Sequence, residues 1–84
     1  MKLRSDLVFR KEFDGTGILF NANDGSSFLL NATAAVICGC LEKGCTEAEI
    51  RQAMDKSLKE IPANADQELQ AFLQSLRDKD YLVE

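Results

Sequence analysis

Three closely spaced cysteines are the side chains of this sequence with the most evident chemistry. They are Cys38, Cys40 and Cys45, and a zinc or iron–sulfur site takes three or four such ligands. Residues two apart on a helix point about 200° apart, since each residue turns the helix by about 100°. Cys38 and Cys40 are therefore poorly placed to share a metal, and no histidine completes the set. We expect no metal site and interpret the cysteines as small core residues.

The sequence also lacks the usual groups of an enzyme. Without histidine there is no Ser-His or Cys-His nucleophile pair and no imidazole general base. The 14 Asp and Glu residues fall mainly at predicted helix ends or on predicted exposed faces, and no pattern buries two together. We therefore predict no catalytic residue and no cofactor, and favour a binding protein over an enzyme.

Charge and length exclude further classes of function. The chain has 84 residues and a net charge of −4, which disfavours a nucleic-acid partner. Its start has no apolar run, and its longest uncharged stretch, residues 25–41, is too short and polar for a membrane span. We expect a cytoplasmic protein with free thiols, no membrane partner and one domain over residues 1–84.

Short apolar runs in the first third of the chain predict strands. The runs are Leu7–Phe13, Ile18–Phe20 and Ser27–Leu30, separated by turn residues at Asp14-Gly15 and Asn23–Ser26. Two tight turns between three short strands predict an antiparallel meander.

The remainder predicts helices with recognisable starts and ends. Asn31 is a predicted N-cap, Gly44 a predicted end, and Thr46–Glu49 a predicted capping box. The predicted helices begin near Ala32, begin at Glu47, and run from about Asp66 to Lys79, with a break over Ile61–Ala65 that contains Pro62. We expect the apolar tail Tyr81–Val83 to pack on the core.

The third predicted strand has an unprotected edge. The first strand carries the charges of Arg10, Lys11 and Glu12, whereas Ser27–Leu30 carries none. An uncharged edge is covered by the chain itself, paired with a second copy in a homodimer, or kept for a partner. The residues alone leave these three alternatives open.

A winged-helix nucleic-acid binder is the alternative function from another class. Helices combined with a β-hairpin suggest that arrangement, whose recognition helix reads base edges with its N-terminal residues. Here that end carries Asp66, Gln67 and Glu68. Two carboxylates at this position would repel phosphates, so we disfavour DNA binding.

Taken in order, the motifs of the chain resemble those of one family. They are Gly15–Phe20, Asp24-Gly25, Phe28–Ala34, Gly44–Ile50, Asp66–Leu76 and Tyr81–Val83. In this order and spacing they resemble the PqqD family (pyrroloquinoline quinone synthesis protein D), also known as RiPP precursor-peptide recognition elements. The resemblance extends over about residues 7–84.

The resemblance implies an α+β, winged-helix-like fold, with a three-stranded antiparallel meander followed by three helices. It implies a non-catalytic chaperone that binds a precursor leader peptide and presents it to a modifying enzyme, often a radical SAM enzyme. The leader would add as a strand beside the third strand, against the third helix. The implied peptide-binding residues are Ser27, Phe28, Leu29, Leu30, Leu69, Phe72, Leu73 and Leu76.

Overall fold

The computed structural model describes residues 1–58, 61 and 63–84. In these residues the elements are β1 (Lys2–Leu3), β2 (Leu7–Lys11), β3 (Gly17–Asn21), β4 (Ser27–Leu30), α1 (Ala32–Lys43), α2 (Glu47–Ser57), α3 (Ala65–Asp78) and β5 (Leu82–Val83). The predicted α+β arrangement, an antiparallel meander followed by helices, is confirmed. Both ends of α3 lie within one residue of the prediction. The predicted break over Ile61–Ala65 depends on Pro62, which lies outside the described residues, and Ala65 is already the first residue of α3.

The meander has the strand order β2-β3-β4, with each neighbouring pair antiparallel. The hairpin between β3 and β4 closes where the Asn21 N–H donates to the Ser26 carbonyl at 2.8 Å. Gly25 in this hairpin has φ +80°, a left-handed conformation that glycine adopts without a Cβ clash. The Asn23–Ser26 turn signal is therefore confirmed.

One face of the sheet packs against α1, and Gly17 allows the close approach. A Cβ on Gly17 would lie 2.8 Å from a Phe9 ring carbon and 3.4 Å from the Ala35 Cβ. The core between the sheet and the helices contains seven side chains that are almost completely buried: Leu19, Ile37, Cys38, Leu41, Ile50, Met54 and Leu73.

Both predicted helix caps are confirmed. The Asn31 side chain accepts the Ala34 N–H at 2.9 Å at the start of α1. At the start of α2, the Thr46 hydroxyl accepts the Glu49 N–H at 3.2 Å, and the Glu49 carboxylate accepts the Thr46 N–H at 2.9 Å. This hydrogen bond to the charged form lowers the pKa of Glu49.

The two ends of the chain form a second, two-stranded sheet that the sequence pattern does not predict. In it Lys2 is paired with Val83, and Leu3 with Leu82. The expected packing of the C-terminal tail is confirmed for Tyr81, which is buried, whereas Val83 is exposed. The tail therefore contacts the core through Tyr81 and the partly buried Leu82, and Leu82 and Val83 pair with the N-terminal strand.

Candidate functional site

The candidate site begins with β4, which forms one edge of the three-stranded sheet. Its side chains alternate between the two faces: Leu30 is buried and Phe28 half-buried, whereas Ser27 and Leu29 are exposed. Leu29 is 88% exposed, although leucine is among the residues most often buried. The inner face of β4 thus joins the core, and its outer face is open.

The backbone groups of β4 alternate as well. Asn21 and Ser26 form a hydrogen-bonded pair, and such pairs alternate along an antiparallel ladder. Phe28 is therefore hydrogen-bonded to Leu19, its partner in the register. The N–H and C=O groups of Ser27 and Leu29 point away from β3, toward a side where the described residues place no strand.

An apolar groove lies between β4 and the C-terminal half of α3. It holds a cavity of about 130 Å³, lined by Leu19, Phe28, Leu29, Leu30, Phe72, Ser75, Leu76, Lys79 and Tyr81. Pockets for drug-sized ligands measure roughly 300–1,000 Å³. The cavity therefore suits one or two side chains of a segment lying along β4.

The sequence-predicted site residues divide between this groove and the core. Those that line the groove are Phe28, Leu29, Leu30, Phe72 and Leu76. Leu69 and Leu73 do not line it, and they are 3% and 0% exposed. Ser27 lies on β4 at the edge but outside the cavity lining.

The rotation of α3 explains this division. Phe72 and Leu73 are successive residues, so their side chains point about 100° apart around the helix axis. Leu73 points into the core and Phe72 toward β4. Lys79 follows Phe72 by seven residues, which returns to within about 20° of the same direction. Sequence reasoning missed Lys79, although its spacing from Phe72 was the available signal.

The end of α3 positions the other groove residue that the sequence analysis missed, Tyr81. The Tyr81 N–H donates to the Leu76 carbonyl at 2.8 Å, and the Asp80 N–H to the Arg77 carbonyl at 2.9 Å. Asp80 has φ +62°, so this is a Schellman ending with aspartate at the left-handed position. It reverses the chain and directs Tyr81 back over the groove.

Tyr81 connects the groove to the sheet. Its ring packs edge-on against Phe28, with centroids 6.1 Å apart and planes at 64°, a favoured aromatic geometry. Its hydroxyl accepts a hydrogen bond from the buried Asn21 amide at 3.3 Å. The Arg4 guanidinium lies 5.5 Å from the same ring centroid.

Arg4 is itself held by acidic and carbonyl oxygens. Its guanidinium donates to the Asp6 carboxylate at 2.6 Å and to the Asp80 carbonyl at 2.9 Å. The hydrogen bond with Asp6 raises the pKa of Arg4 and lowers the pKa of Asp6. The positive charge of Arg4 is thus already balanced within the protein.

The cysteines lie away from the groove. Cys38 is buried, and burial raises the pKa of its thiol to about 12. Cys40 is half-buried, and its pKa is raised by burial first and then by its closeness to Cys45. Within residues 1–58, 61 and 63–84, no three His, Cys, Asp or Glu residues are grouped to hold a metal ion. None of the helices there is long and apolar enough to cross a membrane.

Comparison with known proteins gives a structural neighbour and a family. The fold superposes on TbiB1, solved in complex with the TbiA(beta) leader peptide, with a TM-score of 0.76 and 27% sequence identity; the alignment covers 98% of this chain and 94% of TbiB1. A search of curated proteins finds no match. The family model described as coenzyme PQQ synthesis protein D matches residues 16–82. Since this match includes most of the chain, the protein belongs to the PqqD family.

Proposed function

We propose that this protein is a non-catalytic peptide chaperone. It binds the leader of a ribosomally synthesised precursor peptide as an added strand along β4 and presents the peptide to a modifying enzyme, such as a radical SAM enzyme. The observation that carries this proposal is the β4 edge, where outward-pointing backbone groups of Ser27 and Leu29 border the apolar groove.

Strand addition divides binding between the backbone and the side chains of the ligand. Main-chain hydrogen bonds supply affinity, and pockets for alternate side chains supply specificity. Ligand residues opposite Phe28 and Leu30 would face the groove. Those opposite Ser27 and Leu29 would lie on the open face of the sheet.

The structural neighbour supports this proposal, because TbiB1 was solved with a leader peptide and aligns with nearly the whole chain. A carrier of this kind accelerates modification by raising the effective concentration of the peptide at the enzyme. It therefore needs a binding edge but no catalytic side chains. The absence of histidine from the sequence is compatible with that role.

Proline substitutions test the proposal, because proline removes one backbone N–H. Leu29→Pro removes an N–H that points away from β3. We expect it to fold like the parent and to bind the leader at least about tenfold more weakly, or about 1.4 kcal/mol. Leu29→Ala is the matched control, since it shortens the same side chain but keeps the N–H, and we expect it to lose much less binding than Leu29→Pro.

The measurements are thermal melting and calorimetric titration with synthetic leaders from the short reading frames beside this gene. Phe28→Pro checks the register, because it removes an N–H that bonds to β3 and should weaken the fold. Unchanged leader binding by a well-folded Leu29→Pro protein would exclude strand addition at β4.

Pairing of β4 with a second copy is the competing use of this edge. Mass measurement of the parent over a range of protein concentrations distinguishes the two. A dimer that becomes a monomer in Leu29→Pro, without any leader binding by the parent, would contradict the chaperone proposal.

A further inference from the structure

The polar side chains that line the groove differ in whether they are already hydrogen-bonded. The Ser75 hydroxyl donates to the Phe72 carbonyl at 2.7 Å, and the Tyr81 hydroxyl accepts from Asn21 at 3.3 Å. The remaining polar lining residue is Lys79. Its ammonium forms no hydrogen bond or ion pair with any residue in the described ranges.

The position of Lys79 places a positive charge at the β4 side of the groove. Its Nζ atom lies 5.7 Å from the centroid of the Phe28 ring, within the range of a cation–π contact. Phe28 is on the inner face of β4, and a strand added to β4 would extend this face of the sheet. The ammonium therefore stands where inward-facing side chains of a ligand strand would pass.

The other charges around the groove do not cancel that of Lys79. Arg4, on the far side of Tyr81, is paired with Asp6 at 2.6 Å. The carboxylates on either side of Lys79 in the sequence, Asp78 and Asp80, form no ion pair with it in the described residues, and that of Asp78 accepts a hydrogen bond from Gln74 at 2.9 Å. The pKa of Arg4 is raised first by its hydrogen bond with Asp6 and further by the nearby charge of Asp80. A ligand carboxylate would therefore meet an unpaired cation in an otherwise apolar groove.

We propose that the bound peptide carries an acidic side chain, Asp or Glu, that faces the groove opposite Phe28 and pairs with Lys79. This inference rests on the proposed function. The next inward-facing ligand residue is two positions along, since side chains in a strand alternate between faces. That residue lies opposite Leu30, beside the apolar lining, and is apolar. The recognised segment thus contains an acidic and an apolar residue separated by one position.

Selection from a display library of randomised nonapeptides tests this inference without knowledge of the natural leader. We expect peptides selected on the parent protein to be enriched in Asp or Glu two positions from a large apolar residue. On the charge-reversal variant Lys79→Glu, we expect Lys or Arg to replace the acidic residue at that position. Such an exchange of signs would identify Lys79 as the contact.

The affinities of one selected peptide make the test quantitative. We expect the Lys79→Glu variant to bind the selected peptide at least tenfold more weakly than the parent does. A second peptide, in which the acidic residue is changed to Lys, should recover much of the lost affinity for the Lys79→Glu variant. Lys56→Glu is the matched control: it changes the net charge equally but lies exposed at the end of α2, outside the groove lining. Thermal melts establish that both variants are folded.

Failure of the Lys79 contact and failure of strand addition give different results. If peptides are enriched and their binding is lost in Leu29→Pro but shows no preference for acidic residues, the role of Lys79 is wrong and strand addition stands. If Lys56→Glu weakens binding as much as Lys79→Glu, long-range charge rather than this contact is responsible, and the inference is also wrong. If no peptide is enriched on the parent, strand addition itself is contradicted.

Discussion

At the scale of single residues, Cys38 shows how burial shifts the pKa of a side chain and thereby makes the stability of the fold depend on pH. The thiolate would have to exist inside the core beside Ile37 and Leu41, where no water solvates it. Burial accordingly raises the pKa of Cys38 from 9.0 to about 12. This thiol is a poor nucleophile at neutral pH, since the thiolate is the reactive form.

The raised pKa predicts a loss of stability in alkali. Below about pH 9 the thiol is mainly protonated in both the folded and the unfolded chain, so its ionisation contributes no pH dependence to the stability. Between about pH 9 and 12 the unfolded chain releases the proton first, so the free energy of unfolding falls by up to about 1.4 kcal/mol per pH unit. Urea unfolding of the parent and of Cys38→Ala at about pH 8.5 and 10.5 measures this difference.

The comparison between the two proteins isolates the thiol, because they differ only at residue 38. We expect Cys38→Ala to be less stable at about pH 8.5 through the lost packing, yet to lose less stability on going to about pH 10.5. An equal loss in both proteins would show that Cys38 is not the source of the alkaline slope.

At the scale of elements, the end of α3 is the feature that positions both Lys79 and Tyr81. Its left-handed residue is Asp80, with φ +62°, where glycine is the most favourable residue. A non-glycine residue there costs roughly 1–2 kcal/mol, and less for aspartate, whose side chain hydrogen-bonds locally. The helix therefore ends in a left-handed conformation that costs aspartate a small amount of free energy.

Replacing Asp80 by glycine should therefore stabilise the fold. We expect Asp80→Gly to increase the free energy of unfolding by about 0.5–1 kcal/mol and Asp80→Ala to decrease it, since aspartate adopts the left-handed conformation more readily than alanine. Chemical denaturation of the three proteins at neutral pH gives the order. A glycine variant less stable than the parent would show that the Asp80 side chain contributes more than its backbone conformation costs.

The elements that the sequence predicted best are those determined by local chemistry. Asn31 and the Thr46–Glu49 box satisfy backbone groups within three residues of themselves, so their identity alone indicates a helix start. The pairing of Leu3 with Leu82 is different. It joins the two ends of the chain, and no local pattern in a two-residue strand specifies its partner.

The candidate site was predictable to the level of the element and not to the level of the side chain. Periodicity identifies an apolar stripe on α3, but Leu73 and Phe72 occupy opposite flanks of it. Which flank faces the core depends on how the helix is rotated against the sheet, and that is a tertiary property. The same rotation brings Lys79 into the groove, although its charge suggested only a solvated position.

At the scale of the whole molecule, the distribution of charge argues against the nucleic-acid alternative. Residues 31–84 carry six basic and ten acidic side chains and therefore the entire net charge of −4. The first turn of α3 presents Asp66, which is 82% exposed and paired with Arg51 at 2.8 Å. A recognition helix with this start would face phosphates with the wrong sign.

We accordingly expect no sequence-specific binding of duplex DNA. In a mobility-shift assay at micromolar protein, any retardation should be the same for unrelated duplexes and should vanish as the salt concentration rises. A shift that depends on sequence and resists salt would overturn this expectation and favour the winged-helix alternative.

The pairing of β1 with β5 has a consequence for the architecture of larger proteins. Lys2 lies opposite Val83, and paired residues in an antiparallel ladder have Cα atoms only roughly 4.5–5.5 Å apart. The polypeptide therefore enters and leaves the domain at nearly one point. A host protein could carry the whole unit inside a single surface loop, as readily as at either terminus, because insertion would leave the geometry of the loop almost unchanged. The domain is therefore suited to insertion into other proteins as one unit.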